Sequence, residues 1–381
     1  MTDQPDITIN RGLKGVYFER SGISSIDGRA GELRYRGYSI HDLAEHSTFE
    51  ETAFLLLREE LPDAAALDAF DTSLRNQRAL PPAIVEIVRS LQKSHPMEVL
   101  RTAVSALGAL DETADDNSPE SVLQKGLALT AQVPTIVAAH NRLRAGLDVV
   151  APDPELSHAA NFLYMLKGNR PSAEAAALMD KDMILHAEHG SNASSFAARV
   201  VAGTGANTYA SVTAAIGALS GPAHGGAAED VMKMAQEIGD PENAADYVRA
   251  KRKNREPIMG FGHRVYRAED PRARHLRDGV KRLSEEMGEP HWFAILQAVE
   301  NAMARYARLG VNVNVDFYAG VIYHLHGIPN DVFVPIFAIG RVPGWTAQVL
   351  EQLVNNILIR PLTLYDGPAD RKYLAVSERQ S

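Results

Sequence analysis

The sequence predicts a mainly α protein of two domains. Three observations lead there. Apolar residues recur at helical spacing through most of the chain beyond residue 48, whereas glycine-punctuated runs of β-branched and aromatic residues are confined to 15–40. A chain of 381 residues is long for one hydrophobic core. Gly/Pro clusters at 221–226 and 327–330 mark where a second unit begins and ends.

Taken in order, "GVYFERSGISSIDGRAGELRYRGYSI" at 15–40 fits two or three short strands. Ser47 and Glu50 stand at capping-box spacing before Phe49, Ala53, Leu56 and Leu57, which predicts a helix over 48–59. Amphipathic stretches predict further helices at 81–93, 97–110, 119–144 with a kink at Pro134, 155–167, 171–188 and 207–219. Beyond Pro222 come 226–238, 243–253, 271–287 with Asp270 as cap and Pro271 in its first turn, and 290–308. The last helices are expected at 315–326, 331–338 and 343–357, before an irregular tail from Arg360. The large domain is therefore expected at 1–223 and 328–381, and a small helical domain at 224–327.

Composition narrows the chemistry. With no cysteine, disulfides, thiolate metal sites and a cysteine nucleophile are excluded, so catalysis falls to His, Asp, Glu, Ser or Arg. A formal charge of −9 argues against a general nucleic-acid binder. No apolar run reaches the roughly 18 residues that span a bilayer, and the polar start "MTDQPDITIN" has no signal-peptide pattern, so a cytoplasmic protein without a membrane partner is expected. One stretch runs against the net charge: Arg249 to Arg277 holds ten Lys or Arg against three acids, which suits either phosphate groups or a solvated face.

Several polar residues lie at helix ends or glycine-marked turns. His224 stands in "GPAHGGAAED" (221–230) and His263 in "GFGHRVYRAEDPR" (260–272), both where helices break. In "LHAEHGSNAS" (185–194), His186 and His189 are three apart, but a zincin pattern is absent and no metal site is expected. The Asn192 and Ser194 side chains beside them are equally explained as helix caps or as groups that orient an imidazole. Asp316 in "NVNVDFYAG" has apolar neighbours that would raise its pKa, as suits a general base, although a helix N-cap also fits. Arg272, Arg341 and Arg360 at element boundaries carry the planar fork that binds carboxylates.

The ordered set "LHAEHGSNAS", "GPAHGGA", "GFGHRVYRAEDPRAR", "NVDFY", "GRVPGW" and "RP" followed by "Y.G", together with "GLKGV" and "YRGYSIHDLAE" near the start, resembles the citrate synthase family over nearly the whole chain. That resemblance implies a two-domain helical fold whose small domain closes over the substrates. It also implies a homodimer of the short bacterial and archaeal form, with residues 360–381 embracing the partner. No cofactor is implied, since acetyl-CoA and oxaloacetate are substrates. Carried over by motif, His224 polarises the thioester carbonyl, Asp316 removes a methyl proton and His263 protonates the oxaloacetate carbonyl. His189, Arg272, Arg341 and Arg360 bind oxaloacetate, Arg360 across the dimer. Pro257, Ile258, Met259, Gly260, Phe261, Gly262 and Arg267 meet CoA, and Asn192 and Ser194 orient the catalytic histidine. The resemblance extends to 2-methylcitrate synthase, which takes propionyl-CoA. A non-catalytic helical binding protein and a metal-dependent lyase are the rivals from other classes.

Overall fold

The computed structural model describes residues 7–379. Strands β1 (Ser24–Asp27), β2 (Glu32–Tyr35) and β3 (Tyr38–Ser39) form a small antiparallel sheet in that order, within the segment where strands are predicted. Helices follow: α1 (Ile40–His46), α2 (Phe49–Arg58), α3 (Ala64–Asn76), α4 (Pro82–Ser90), α5 (Pro96–Leu110), α6 (Pro119–Arg144), α7 (His158–Lys167) and α8 (Ala173–His186). Next come α9 (Ala193–Gly203), α10 (Thr208–Leu219), α11 (Ala227–Ile238), α12 (Ala244–Lys253), α13 (Ala273–Glu286), α14 (Pro290–Met303), α15 (Asp316–Leu325) and α16 (Phe333–Val354). The fold is mainly α, as expected. Among the described residues no helix is long and apolar enough to cross a membrane.

α1, α3 and α9 are additional to the predicted helices. α1 is short, α3 is alanine-rich and contributes only Phe70 and Leu74 to the interior, and α9 buries small or polar residues that give no apolar stripe. Caps rather than apolar periodicity define them, with Ser39 accepting the His41 N–H, Asp63 that of Ala66, and Asn192 those of Ser194 and Ser195.

Three boundary expectations are corrected. Thr48, not Ser47, caps α2 by accepting the Glu51 N–H at 3.2 Å, while Glu50 turns inward to accept the His158 N–H at 2.7 Å. Asp270 does not cap α13; its carboxylate is taken by the Arg272 guanidinium, and the helix starts at Ala273. The break expected near Gly340–Pro343 is absent, since α16 is one helix of 22 residues, roughly 33 Å long.

The continuity of α16 has a packing cause. A β-carbon at Gly344 would lie 2.1 Å from the Ala187 carbonyl oxygen, and one at Gly340 would lie 3.0 Å from that of Met183. Gly340, in the expected break, and Gly344 are the surface on which the end of α8 rests. α16 also packs on α6, α9 and α10, forming the centre of one helical group. In a second group, α15 lies against α11 and α13, and α12 against α14. The groups meet where α13 touches α8 and α11 touches α16.

Alanine in place of glycine ordinarily stabilises a helix interior by about 1 kcal/mol. At Gly344 the sign reverses: Gly344→Ala is expected to destabilise the protein by about 3 kcal/mol. Chemical denaturation measures it, and an unchanged midpoint would contradict the packing argument.

Candidate active site

Four chain segments converge where α8 ends. The turn after α8 carries Glu188 and His189, both buried. His189 Nε2 is hydrogen-bonded to the Tyr266 hydroxyl at 3.1 Å, and its ring centre lies 5.2 Å from that of His263. Burial, then the nearby Arg272 charge, holds the His189 pKa well below the ordinary imidazole value, so the ring is neutral. Glu188 accepts hydrogen bonds from Ser24 Oγ at 3.1 Å and Gln348 Nε2 at 2.9 Å; burial raises its pKa, with Arg341 opposing.

His224 sits in the turn between α10 and α11, against the start of α9. Its Nε2 is 2.9 Å from Ser194 Oγ and receives the Ser194 backbone N–H at 3.3 Å. A lone pair at Nε2 leaves the ring proton on Nδ1. Asn192 Oδ1 holds the Ser194 hydroxyl at 2.7 Å, and the Trp345 indole N–H donates to the same Oγ at 3.1 Å. Both things the sequence allowed are therefore present: Asn192 caps α9, and Ser194, held by Asn192, fixes the imidazole. Burial, then Arg341, lowers the His224 pKa to about 4.

His263 follows a tight loop. Gly260 needs its glycine twice over: φ is +77°, and a β-carbon would lie 2.6 Å from the Phe317 ring. The loop is tied to 312–314 by the Gly262 N–H on the Asn312 carbonyl (2.8 Å) and the Asn314 N–H on the Gly260 carbonyl (2.9 Å). The same residues lead into α15, so the loop and Asp316 share one support. His263 Nδ1 accepts the backbone N–H groups of Val265 (3.0 Å) and Tyr266 (3.1 Å), which puts the ring proton on Nε2. Burial, then Arg272, lowers its pKa to about 4. Of the loop residues, Ile258 and Gly260 are buried, while Pro257 and Arg267 are exposed and Met259, Phe261 and Gly262 half-buried.

Asp316 is the first residue of α15 and does not cap it; no side chain caps this helix. Its carboxylate has no hydrogen-bond partner among the described residues. Burial raises its pKa, against the opposing influence of His186 and Arg272. Arg272 is buried and bound bidentately by Asp270, Nε to Oδ1 at 2.9 Å and Nη2 to Oδ2 at 2.8 Å. Arg341 is 1 % exposed; its Nε donates to the His186 carbonyl, its guanidinium lies 4.6 Å from the centre of the Phe337 ring, and Nη1 is buried without a partner among the described residues. Burial lowers its pKa to about 10, with Glu188 opposing.

Of the predicted site residues, His189, His224, His263, Asp316, Arg272 and Arg341 thus share one region, each feeling the charge of Arg272 or Arg341. Arg360 does not join them: it is exposed in the tail after α16. Phe337, Glu188, Tyr266 and Trp345 are added by the structure. Phe337 links three groups, with ring centres 4.7 Å from His186 and 6.4 Å from His224 and the Arg341 cation on its face. Among the described residues no three His, Asp or Glu side chains are arranged to hold a metal ion. His186 turns its Nδ1 to the Asp182 carbonyl at 2.9 Å instead.

The arrangement offers three neutral imidazoles, two of them with the ring proton fixed on one nitrogen, one carboxylate of raised proton affinity and two buried guanidinium groups. Such a set polarises carbonyl groups, removes a weakly acidic C–H proton and holds a small dianion.

A family model described as "Citrate synthase, C-terminal domain" matches residues 12–362. The chain is 46% identical to citrate synthase 2 of Bacillus subtilis, over 98% of this chain and 100% of that protein. It is 40% identical to 2-methylcitrate synthase 1 of Corynebacterium glutamicum, over 98% of this chain and 99% of that protein. A solved structure of citrate synthase from the archaeon Thermoplasma acidophilum, a ternary complex with carboxymethyl coenzyme A and oxaloacetate, superposes with a TM-score of 0.91 at 31% identity, covering 98% of this chain and 100% of that one.

Proposed function

The chain belongs to the citrate synthase family, and from that premise we propose that it joins acetyl-CoA to oxaloacetate and hydrolyses the resulting thioester to citrate and CoA. The observation that carries this is the pair of fixed tautomers beside an unpartnered carboxylate. His224 presents Nδ1–H and His263 presents Nε2–H, because Ser194 and the Val265–Tyr266 backbone occupy the other nitrogens. Asp316 takes a methyl proton from acetyl-CoA while His224 donates to the thioester oxygen, so the enolate charge develops against an N–H already in place. The nucleophilic carbon attacks the oxaloacetate ketone, and His263 gives its Nε2 proton to the new alkoxide. Arg341 and Arg272, with His189, hold the oxaloacetate carboxylates. Water then cleaves the thioester.

In the same reading Pro257–Gly262 and Arg267 receive CoA, and residues 224–327 form the domain that closes on it. The protein is a cytoplasmic homodimer, in which Arg360 serves the partner's site. A tail that leaves Leu362, Tyr365 and Tyr373 more than 70 % exposed in one chain supports a second chain to cover them.

The test is release of free thiol from acetyl-CoA or propionyl-CoA in the presence of oxaloacetate, followed with a thiol-reactive dye; a cysteine-free chain adds no background. Higher kcat/KM for acetyl-CoA is expected. A preference for propionyl-CoA would establish 2-methylcitrate synthesis, since one methylene is worth only about 1–3 kcal/mol of discrimination. The pH profile gives a second check. Burial raises the Asp316 pKa and the base must be ionised to take the proton, so the acid limb of kcat/KM is expected above the ordinary aspartate value of about 3.9. A limb at or below that value would contradict the assignment.

A further inference from the structure

The N-terminal hairpin touches both halves of the histidine pair. Its first strand reaches the His189 turn: Ser24 Oγ donates to Glu188 Oε1 at 3.1 Å and accepts the Gly190 N–H at 3.2 Å. Its second strand does the same from the other side, Tyr35 donating to the Ile184 carbonyl (3.2 Å) and accepting the Glu188 N–H (3.3 Å). Its turn reaches the His263 loop, where the Arg267 N–H donates to the Gly28 carbonyl at 2.7 Å. The approach is close: a β-carbon at Gly28 would lie 2.4 Å from the Val265 carbonyl oxygen, and one at Gly31 2.9 Å from that of Glu269. The turn is braced from within, since Asp27 Oδ1 accepts the N–H groups of Arg29 (2.8 Å) and Ala30 (2.9 Å). Farther on, His41 Nδ1 meets His275 Nε2 at 2.7 Å, so the segment holding His263 and Arg272 is pinned at both ends.

We propose that the hairpin Ser24–Tyr35 is a positioning element that sets His263 against His189, with Gly28 the point at which the His263 loop takes its register. It rests on the reading of the site as an oxaloacetate site. Val265 and Tyr266 are the residues whose N–H groups fix the His263 tautomer, and Tyr266 is the one bonded to His189. A displacement at Gly28 is therefore passed directly to both imidazoles. The hairpin tip lies outside the hydrophobic core, and φ at Gly28 is not in the left-handed region, so alanine there meets a neighbour rather than a forbidden conformation.

The experiment compares Gly28→Ala, Ser24→Ala and their double variant with wild type, using Arg29→Ala as a neighbouring control. Gly28→Ala is expected to raise KM for oxaloacetate and lower kcat, for a loss of tenfold or more in kcat/KM, in a variant that still unfolds cooperatively with a lowered Tm. Ser24→Ala loses less, and the double variant departs from additivity because both act through one rigid piece. Arg29→Ala is unchanged. Histidine side-chain NMR of the protein without substrate reads the same displacement independently of turnover, through moved ring resonances of His263 in Gly28→Ala and of His189 in Ser24→Ala. Unchanged kcat/KM in a folded Gly28→Ala, or unmoved resonances, would overturn the proposal. If Gly28→Ala does not fold, Ser24→Ala, which deletes only a hydroxyl, decides by the same readouts. Absence of any thiol release by wild type would instead refute the functional reading, and the resonances would still report on the hairpin.

Discussion

Replacing Asp316 by asparagine is expected to lower kcat by about 10³-fold or more, with oxaloacetate binding and the fold retained. Asparagine has the same shape but no basic oxygen, and the carboxylate it replaces makes no hydrogen bond that holds α15 in place. The stability effect has a definite sign. Burial raises the Asp316 pKa, so the folded chain binds its proton more tightly than the unfolded chain does. The group's contribution to stability is thus largest at low pH and is lost as pH rises from the ordinary aspartate value through the raised one. Near pH 7 the uncharged asparagine relieves that cost, and the Tm of Asp316→Asn should equal or exceed that of wild type. Thermal unfolding beside a turnover assay checks both parts. A variant that is inactive because it is unfolded would return Asp316 to a structural role.

Arg341→Leu is expected to raise KM for oxaloacetate by about 10²-fold, the scale on which an unpaired partner in a buried charge pair is penalised. The guanidinium has no solvent to pair with, and its Nη1 is the buried donor without a protein partner among the described residues. Removing it also strands Glu188, whose raised proton affinity lets it become neutral rather than unfold the turn. Arg341→Lys keeps the charge but loses the fork and the face contact with Phe337, so it should fall between the two. Steady-state kinetics with oxaloacetate varied supplies the measurement; a KM within twofold of wild type in Arg341→Leu would remove Arg341 from the binding site.

Local signals in the sequence carried the helices well where caps and apolar periodicity agree. α6 has the predicted limits, 119 and 144, and runs through Pro134 as one helix. Legibility failed where a residue's purpose lies in another part of the chain. The stretch 339–342 read as a break because local rules treat Gly340 as a breaker and Pro343 as a helix start, whereas the close approach of α8 is what requires Gly340 and Gly344 to be small. The histidines at glycine turns were visible as candidates, yet nothing local shows that Ser194 would meet His224 thirty positions away, or that Trp345 would donate to that serine from 151 positions away. Glu188, Tyr266 and Phe337 carried no signal of their own, because each is defined by what the fold brings against it. Arg360 was legible by motif alone, and a single chain leaves it in the exposed tail.

The central claim is that Asp316 takes the methyl proton while His224 holds the developing oxyanion. Its most direct test is exchange of the acetyl-CoA methyl protons with D₂O, followed by NMR, with malate filling the oxaloacetate site so that no ketone is present to be attacked. Wild type should exchange, Asp316→Asn should fall to background, and His224→Ala should slow by about 10²-fold or more. Exchange by Asp316→Asn at the wild-type rate would contradict the account.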